Sequence, residues 1–585
     1  MRRVAAQLIR FPDVRLNDLG IELMITTRKL VDRLITLADI AAVIGLVAVF
    51  AGSVGLILTK PPVVWVDVVY DDAYYYLGVA RNVVESGVSS FLPPFKTNGY
   101  QPLWLALISA SAYLFGTSVT SMAAQVCTLS FLFIFFFLLI SKLRYGVIFP
   151  AASCIGYLPF VMAHSMETAM LPPLFILFLS RGTWKWRGVF GALLFLTRLD
   201  ALSLIIAKDI VDLVRYRKAD FRKYAIIVPV IAIYAWINYS QFHSIFPVSG
   251  LAKSIGNVKG QNVAVAVFHL TAMFFAIAIA AGIAIYAAVT KRRPRFQFPD
   301  ELATCFIALV MCVVYYLVNS GWPVWPWYYW PEFLLTYYLI LEAVGMIRAH
   351  SSTLQTRRWY ALALLVVALF ALVRPALSFP LYRMNFLRLS YADRGAKYDA
   401  YGAENVRLVQ YLHNKGIAPG TFFAMGDRGG SFGFFLGNEY RFLHTEGLVG
   451  SYGYYKALRA DEGREYVDGL GLDYLVVDRQ KYLNEGNVIG VIEPVMPLSA
   501  RSGVYLLCFD KSAVRFTQEY RSQTRYLLDY KKRVACPAGM TNQFTALKNH
   551  YGAVVRYTFP VELKNRHDLM YRLLGLPYCT TRRDC

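Results

Sequence analysis

Charge is what this sequence has least of. Only 17% of its 585 residues are Asp, Glu, Lys or Arg, against about a quarter in a soluble globular chain. The deficit is concentrated in the first two thirds, which excludes a single water-soluble domain. No nucleic-acid motif accompanies the net charge of +22, and the basic residues are dispersed. That excess is therefore read as topology, because membrane proteins retain Lys and Arg on cytoplasmic loops. No CxxC and no close His pair occurs, which argues against structural zinc. No internal repeat of the kind that builds transporters is evident. Residues 1–39 carry seven Arg and Lys but no small-residue cleavage site, so no removable signal peptide is expected.

What is present is a series of apolar runs, several of them near the roughly 20 residues that cross a bilayer. The first strong one covers 40–58. Arg28, Lys29 and Arg33 precede it, which puts the N-terminus in the cytoplasm. The stretch 102–115 is apolar but short, and fits an interfacial or re-entrant helix. If it does not cross, Lys142 and Arg144 after the run 122–140 fall inside. Further segments at 147–162, 168–179, two short ones around Arg198 and Asp200, then 225–239, 263–289, 302–318, 328–346 and 359–379 give about eleven spans. All large basic clusters then lie on one side.

After residue 379 the composition changes. A helical pattern at 406–414 and another at 454–467 alternate with strand-like runs at 421–425, 441–444, 474–477 and 504–509, which argues an α/β domain. The expected fold is therefore a polytopic α-helical membrane protein with a C-terminal extracytoplasmic α/β domain. Its divisions are a basic cytoplasmic segment 1–38, a transmembrane module 39–380 with a first outer loop at 60–120, and the outer domain 381–585. Cys127, Cys154, Cys305 and Cys312 fall in spans and read as packing residues. Cys508, Cys536, Cys579 and Cys585 fall in the outer domain, where two disulfides with three possible connectivities are permitted.

The densest polar cluster in this apolar setting is Asp71, Asp72, Ala73, Tyr74, Tyr75, Tyr76. On a helix Asp72, Tyr75, Tyr76 and Val79 share a face, whereas Asp71 points about 100° away. A carboxylate here can deprotonate an acceptor hydroxyl or bind a metal that does so. It can equally serve as a helix N-cap. Neighbouring tyrosines can stack on a sugar. The turn Asn98, Gly99, Tyr100, Gln101, Pro102, Leu103, Trp104 follows; membrane anchoring accounts for its Gly, Pro and Trp, but not for Asn98 or Gln101. The charge rule puts His164 and Glu167, the Arg198–Asp200 tip, and the loop carrying Ser249 and Lys253 on the same outer side. Small residues, a hydroxyl and one cation in that last loop suit a lipid phosphate. The aromatic run through Trp327 and Tyr328 suits an interfacial belt or the wall of a lipid or sugar pocket.

These residues resemble a known family. Asp71-Asp72-Ala-Tyr, Arg81-Asn82, Asn98-Gly99-Tyr100 and Pro102-Leu103-Trp104 resemble the first outer loop of GT-C glycosyltransferases, most closely bacterial arabinofuranosyltransferase-like members. Met166-Glu167-Thr168, Arg198-Leu-Asp200 and Pro247-Val-Ser249-Gly250 with Lys253 are similar to later segments of that group, so the resemblance spans roughly 60–340. The three tyrosines after the two aspartates depart from many members. The resemblance implies a polyprenyl-phosphate sugar donor, juxtamembrane helices in the first outer loop, and Asp71 or Asp72 as catalytic base.

The sequence thus points to an inverting glycosyltransferase of a bacterial inner membrane. It would move a sugar, arabinofuranose being the one the resemblance suggests, to a cell-envelope glycan, lipid or protein. Candidate substrate-binding residues are Tyr75, Tyr76, Asn98, Tyr100, Gln101, His164, Glu167, Arg198, Asp200, Ser249, Lys253, Trp327 and Tyr328. No cofactor is required and no metal ligand is assigned, although a divalent metal is compatible. The expected partners are the donor lipid, the envelope acceptor and membrane lipids, with no nucleic acid. A flippase for lipid-linked sugar is the alternative.

Overall fold

The computed structural model describes residues 16–148, 165–180, 185–218, 220–255, 299–321, 328, 330–348, 401–426, 428–460, 462–478, 488–494, 504–510, 513–515 and 525–534. Most of the expected span at 147–162, those at 263–289 and 359–379, and His164, Trp327, Cys154, Cys536, Cys579 and Cys585 lie outside the described residues.

The membrane part is built of helices α1 (Leu16–Thr59), α2 (Asp71–Ser86), α3 (Pro102–Phe115), α4 (Val119–Tyr145), α5 (Leu171–Leu179), α6 (Arg187–Thr197), α7 (Leu202–Tyr216), α8 (Tyr224–Phe242), α9 (Val248–Ser254), α10 (Asp300–Asn319) and α11 (Trp330–Arg348). Four described stretches are long and apolar enough to cross a bilayer: Ile35–Thr59, Val119–Tyr145, Phe221–Phe242 and Asp300–Asn319. The chain is a polytopic helical membrane protein. Helix α3, with 14 residues, is about 21 Å long at 1.5 Å per residue, short of a hydrocarbon core of about 30 Å. Large apolar side chains on α4 and α8, among them Leu132, Leu139, Ile233 and Trp236, are exposed, as expected of faces turned to lipid.

Local chemistry sets the helix ends that matter here. Asp71 and Asp72 occupy the first turn of α2, where the helix dipole favours negative charge, and Gly87 stops it in the left-handed conformation at φ 69°. Pro102 occupies the first turn of α3, where its missing N–H costs nothing. Ser118 caps α4, whose last turn carries Lys142 and Arg144.

Polar side chains gather at opposite ends of this bundle. At one end Lys142 pairs with Asp39 at 3.1 Å, Arg215 with Asp300 at 2.5 Å, Lys208 with Asp212, and Lys223 with Asp209. Asp39 lies within α1, and the others sit in or near the last turns of α4 and α7 and the first turns of α8 and α10. The other end carries the α6–α7 tip, the start of α11, the C-terminus of α10 and the loop after α8.

The described residues between 401 and 534 form helices α12 (Tyr401–Asn414), α13 (Gly429–Leu436), α14 (Tyr452–Ala460) and α15 (Gly463–Gly469) and two sheets. Strands β1 (Phe422–Met425), β2 (Arg441–His444) and β3 (Tyr474–Asp478) run parallel in the order β2-β1-β3. Strands β6 (Val514–Arg515) and β7 (Arg525–Asp529) extend that sheet antiparallel from β3. Strands β4 (Val488–Pro494), β5 (Val504–Asp510) and β8 (Arg533–Val534) make a separate antiparallel sheet. All four residues of β1 are buried, the pattern of a parallel strand covered on both faces. The helical pattern expected over 454–467 is two helices, α14 ending at Ala460 and α15 beginning at Gly463. This α/β segment shares one apolar core with the membrane helices: Ala403, Val406, Phe432 and Phe434 pack in the cluster that contains Trp65, Tyr74 and Leu77.

Candidate active site

Helix α2 points its two aspartates in different directions. The Asp71 carboxylate accepts from the backbone N–H of Gly430 at 3.0 Å, from that of Ser431 at 2.8 Å, and from the Ser431 hydroxyl at 2.6 Å. It is thereby spent on the N-terminus of α13. Burial raises its pKa, and the Ser431 and Gly430 donors work against that rise. Four residues earlier, Asp67 accepts from the Gly402 N–H at 3.1 Å in the first turn of α12. Burial pushes the Asp67 carboxyl up to about 6, against its backbone hydrogen bonds to Gly402 and Ala403.

Asp72 belongs to a different environment. Burial works against the Lys253 ammonium, but the Tyr328 oxygen and the Asp72 carboxylate outweigh it and hold Lys253 above the ordinary lysine value. Lys253 donates to the Tyr328 hydroxyl, and its Nζ lies 5.0 Å from that ring's centroid. The Arg198 guanidinium approaches the same ring, 5.5 Å from the centroid. Tyr328 is thus a shared aromatic contact for two cations.

Arg198 is held from two sides. Its Nε and Nη2 donate to the two Asp200 oxygens at 2.9 and 2.8 Å, and Nη1 donates to Glu167 Oε1 at 2.9 Å. The planar fork of the guanidinium fits a carboxylate in this bidentate way. Asp200 also accepts from the Tyr316 hydroxyl at 2.6 Å and from Trp330 Nε1 at 3.2 Å. The network closes on α2: the Tyr76 hydroxyl donates to Glu167 Oε2 at 3.1 Å and accepts from the Gln101 N–H at 3.2 Å. Gln101 Oε1 is buried with no hydrogen-bond partner among the described residues.

The structure therefore gathers Asp72, Tyr76, Gln101, Glu167, Arg198, Asp200, Lys253 and Tyr328 at one end of the bundle, from six separate stretches of sequence. Three other candidates are engaged in internal bonds. Tyr75 pairs through its hydroxyl with His444 Nε2 at 2.8 Å. The Tyr100 hydroxyl meets Ser89 Oγ at 2.8 Å. Asn98 donates to Asn238 Oδ1 at 2.8 Å and accepts from the Val248 N–H at 2.9 Å, which seats the helix that carries Lys253. Ser249 is half-buried in the first turn of that helix. Tyr316, Asp67, Ser431 and His444 were not singled out by sequence reasoning. The signal for Ser431 and His444 was the Gly429-Gly430-Ser431 opening of α13, which marks a close backbone approach. Among the described residues, no three His, Cys, Asp or Glu side chains are grouped to hold a metal ion.

No protein-family model matches this chain, and no curated protein matches it in sequence. Among solved structures, the crystal structure of ArnT from Cupriavidus metallidurans bound to undecaprenyl phosphate is similar to it, with a TM-score of 0.43 and 13% identity. That likeness covers 85% of this chain and 99% of the other.

Proposed function

We propose that this chain is an inverting glycosyltransferase of the GT-C type that moves a sugar from a polyprenyl-phosphate donor to a cell-envelope acceptor. The observation that carries the reading is the meeting of two cations, Lys253 and Arg198, on the Tyr328 ring, with the Asp72 carboxylate of the first-loop helix close enough to act on the Lys253 charge. In this reading Asp72 is the base. It takes the proton of an acceptor hydroxyl as that oxygen attacks the anomeric carbon. The bond from that carbon to the phosphate oxygen breaks, and polyprenyl phosphate leaves with the electron pair. Lys253 and the spare N–H groups of Arg198 stabilise the departing phosphate. Glu167 and Asp200 keep the guanidinium in place, and Tyr76 and Gln101 offer hydrogen bonds to sugar hydroxyls. Asp71 is left out of this chemistry because its oxygens already serve α13.

The same reading places the site and the α/β segment on the extracytoplasmic face of a bacterial inner membrane, with the N-terminus inside. Arabinofuranose is the sugar we favour, on the first-loop resemblance, and no metal is required in this reading because the departing polyprenyl phosphate carries less charge than a nucleoside diphosphate. The test is transfer by purified full-length protein in nanodiscs, supplied with 14C-labelled polyprenyl-phosphate sugars, including decaprenyl-phosphate arabinofuranose. Membranes of a deletion strain supply the acceptor. Label should move into envelope material with wild type and not with Asp72→Asn. Label that crosses the bilayer still attached to its lipid would instead identify a flippase.

A further inference from the structure

We infer that Asp71 is a positioning residue: it locks helix α2 to helix α13, and so fixes where Asp72 points. The inference rests on the reading of Asp72 as the base. Two carboxylates of the first loop, Asp67 and Asp71, each receive the N-terminus of a helix more than 300 residues further along the chain. Carboxylates are favoured at such ends by the free N–H groups and the helix dipole.

Each approach depends on a glycine. A Cβ on Gly402 would stand 2.5 Å from Asp67 Oδ1, and one on Gly430 would collide with the Asp71 carbonyl oxygen. Arg428, just before α13, adopts a left-handed φ of 62°, and its charge acts on both aspartates. A third tie lies one turn on, where Tyr75 meets His444 at the end of β2. The first turn of α2 is therefore bolted to the α/β segment through Asp71, and Asp72, one residue on, leaves the helix about 100° away from that bolt. Misplacing a catalytic group by about 1 Å can cost about a hundredfold in rate, so this lock has kinetic consequences although it touches no substrate.

The experiment compares Asp71→Asn, Ser431→Ala, Gly430→Ala, the Asp71→Asn/Ser431→Ala double variant and Asp72→Asn in nanodiscs, with decaprenyl-phosphate [14C]arabinofuranose as donor. Backbone hydrogen exchange at Gly430 and Ser431 is read in parallel. Asp71→Asn, Ser431→Ala and Gly430→Ala should each lower kcat about tenfold to a hundredfold with the donor KM little changed. The double variant should be no slower than the worse single one, because both act through one lock. The acid limb of the pH–rate profile should persist in the four variants that keep Asp72, whereas Asp72→Asn should transfer no label, and exchange at Gly430 and Ser431 should quicken in Asp71→Asn. The inference is overturned if Ser431→Ala and Gly430→Ala match wild type while Asp71→Asn is inactive, or if the acid limb vanishes with Asp71 alone. If Asp71→Asn does not fold, Ser431→Ala and Gly430→Ala decide the question. If wild type transfers no label from this or any other polyprenyl-phosphate sugar, the transferase reading falls, and the exchange rates still decide whether the lock exists.

Discussion

Arg198 Nη1 lies 2.9 Å from Glu167 Oε1, and both side chains are buried. A buried pair of this kind adds little over an apolar replacement, yet removing one partner strands the other charge, at a cost of about 3–5 kcal/mol. Arg198→Met should therefore lower the thermal unfolding midpoint in detergent sharply, leaving Glu167 and Asp200 facing each other. Arg198→Lys should restore only part of it, because one ammonium cannot replace a fork that holds two Asp200 oxygens and Glu167 together. An Arg198→Lys protein as stable as wild type would contradict the bidentate geometry.

Lys253 is the cation we assign to the donor phosphate. Hydrogen bonds to charged groups contribute about 1.5–3 kcal/mol, so Lys253→Gln should weaken binding of undecaprenyl phosphate by about tenfold or more. Tyr328→Phe keeps the ring but removes the hydroxyl that Lys253 meets, and should weaken binding less. Quenching of tryptophan fluorescence in nanodiscs, titrated with undecaprenyl phosphate, measures both. Unchanged binding in Lys253→Gln would remove this residue from the donor site.

Asp67 makes a pH-dependent contribution whose sign is fixed by its environment. Its pKa is pushed up to about 6 by burial, above the ordinary aspartate value of about 3.9. The folded protein thus binds this proton more tightly than the unfolded chain. The resulting stabilisation is fully present below the unfolded value and is lost as pH rises through about 6. The difference in unfolding temperature between wild type and Asp67→Asn should therefore shift in favour of wild type as pH falls from 7.5 to 4.5. Asparagine keeps an oxygen for the Gly402 N–H but does not titrate. Parallel midpoints across that range would show that Asp67 is not the titrating group.

The split between Asp71 and Asp72 was legible in the sequence, because one residue of helix is a turn of about 100° and two neighbours cannot share one pocket. Which of them is taken up by another element was not. Asp71 is held by Ser431, 360 residues away, and no periodicity encodes such a pairing. The same limit applies to Tyr75: its helix face was readable, but its partner His444 belongs to a strand placed by the sheet order β2-β1-β3. Glu167, Arg198 and Asp200 stood out because charge in an apolar stretch needs a partner. Their union with Tyr316 and Trp330 depends on how α10 and α11 pack, which composition does not specify. The runs that became spans were the easiest part, since length and apolarity alone define them.

Orientation yields the last prediction. The site end of the bundle carries the first loop, where Ser86 and Lys96 are exposed. The opposite end carries the basic helix termini, where Lys218 is exposed after α7. Basic residues stay on the cytoplasmic side, so a lipid-linked donor would meet Asp72 and Lys253 at the outer surface. Cysteines introduced at Ser86 and Lys96 should react with a membrane-impermeant maleimide on intact spheroplasts, above the background of the native cysteines. A cysteine at Lys218 should react only after permeabilisation. The reverse pattern would put the carboxylate and the ammonium in the cytoplasm, where the acceptor of an envelope transferase is not found, and the proposed reaction would lose its substrate.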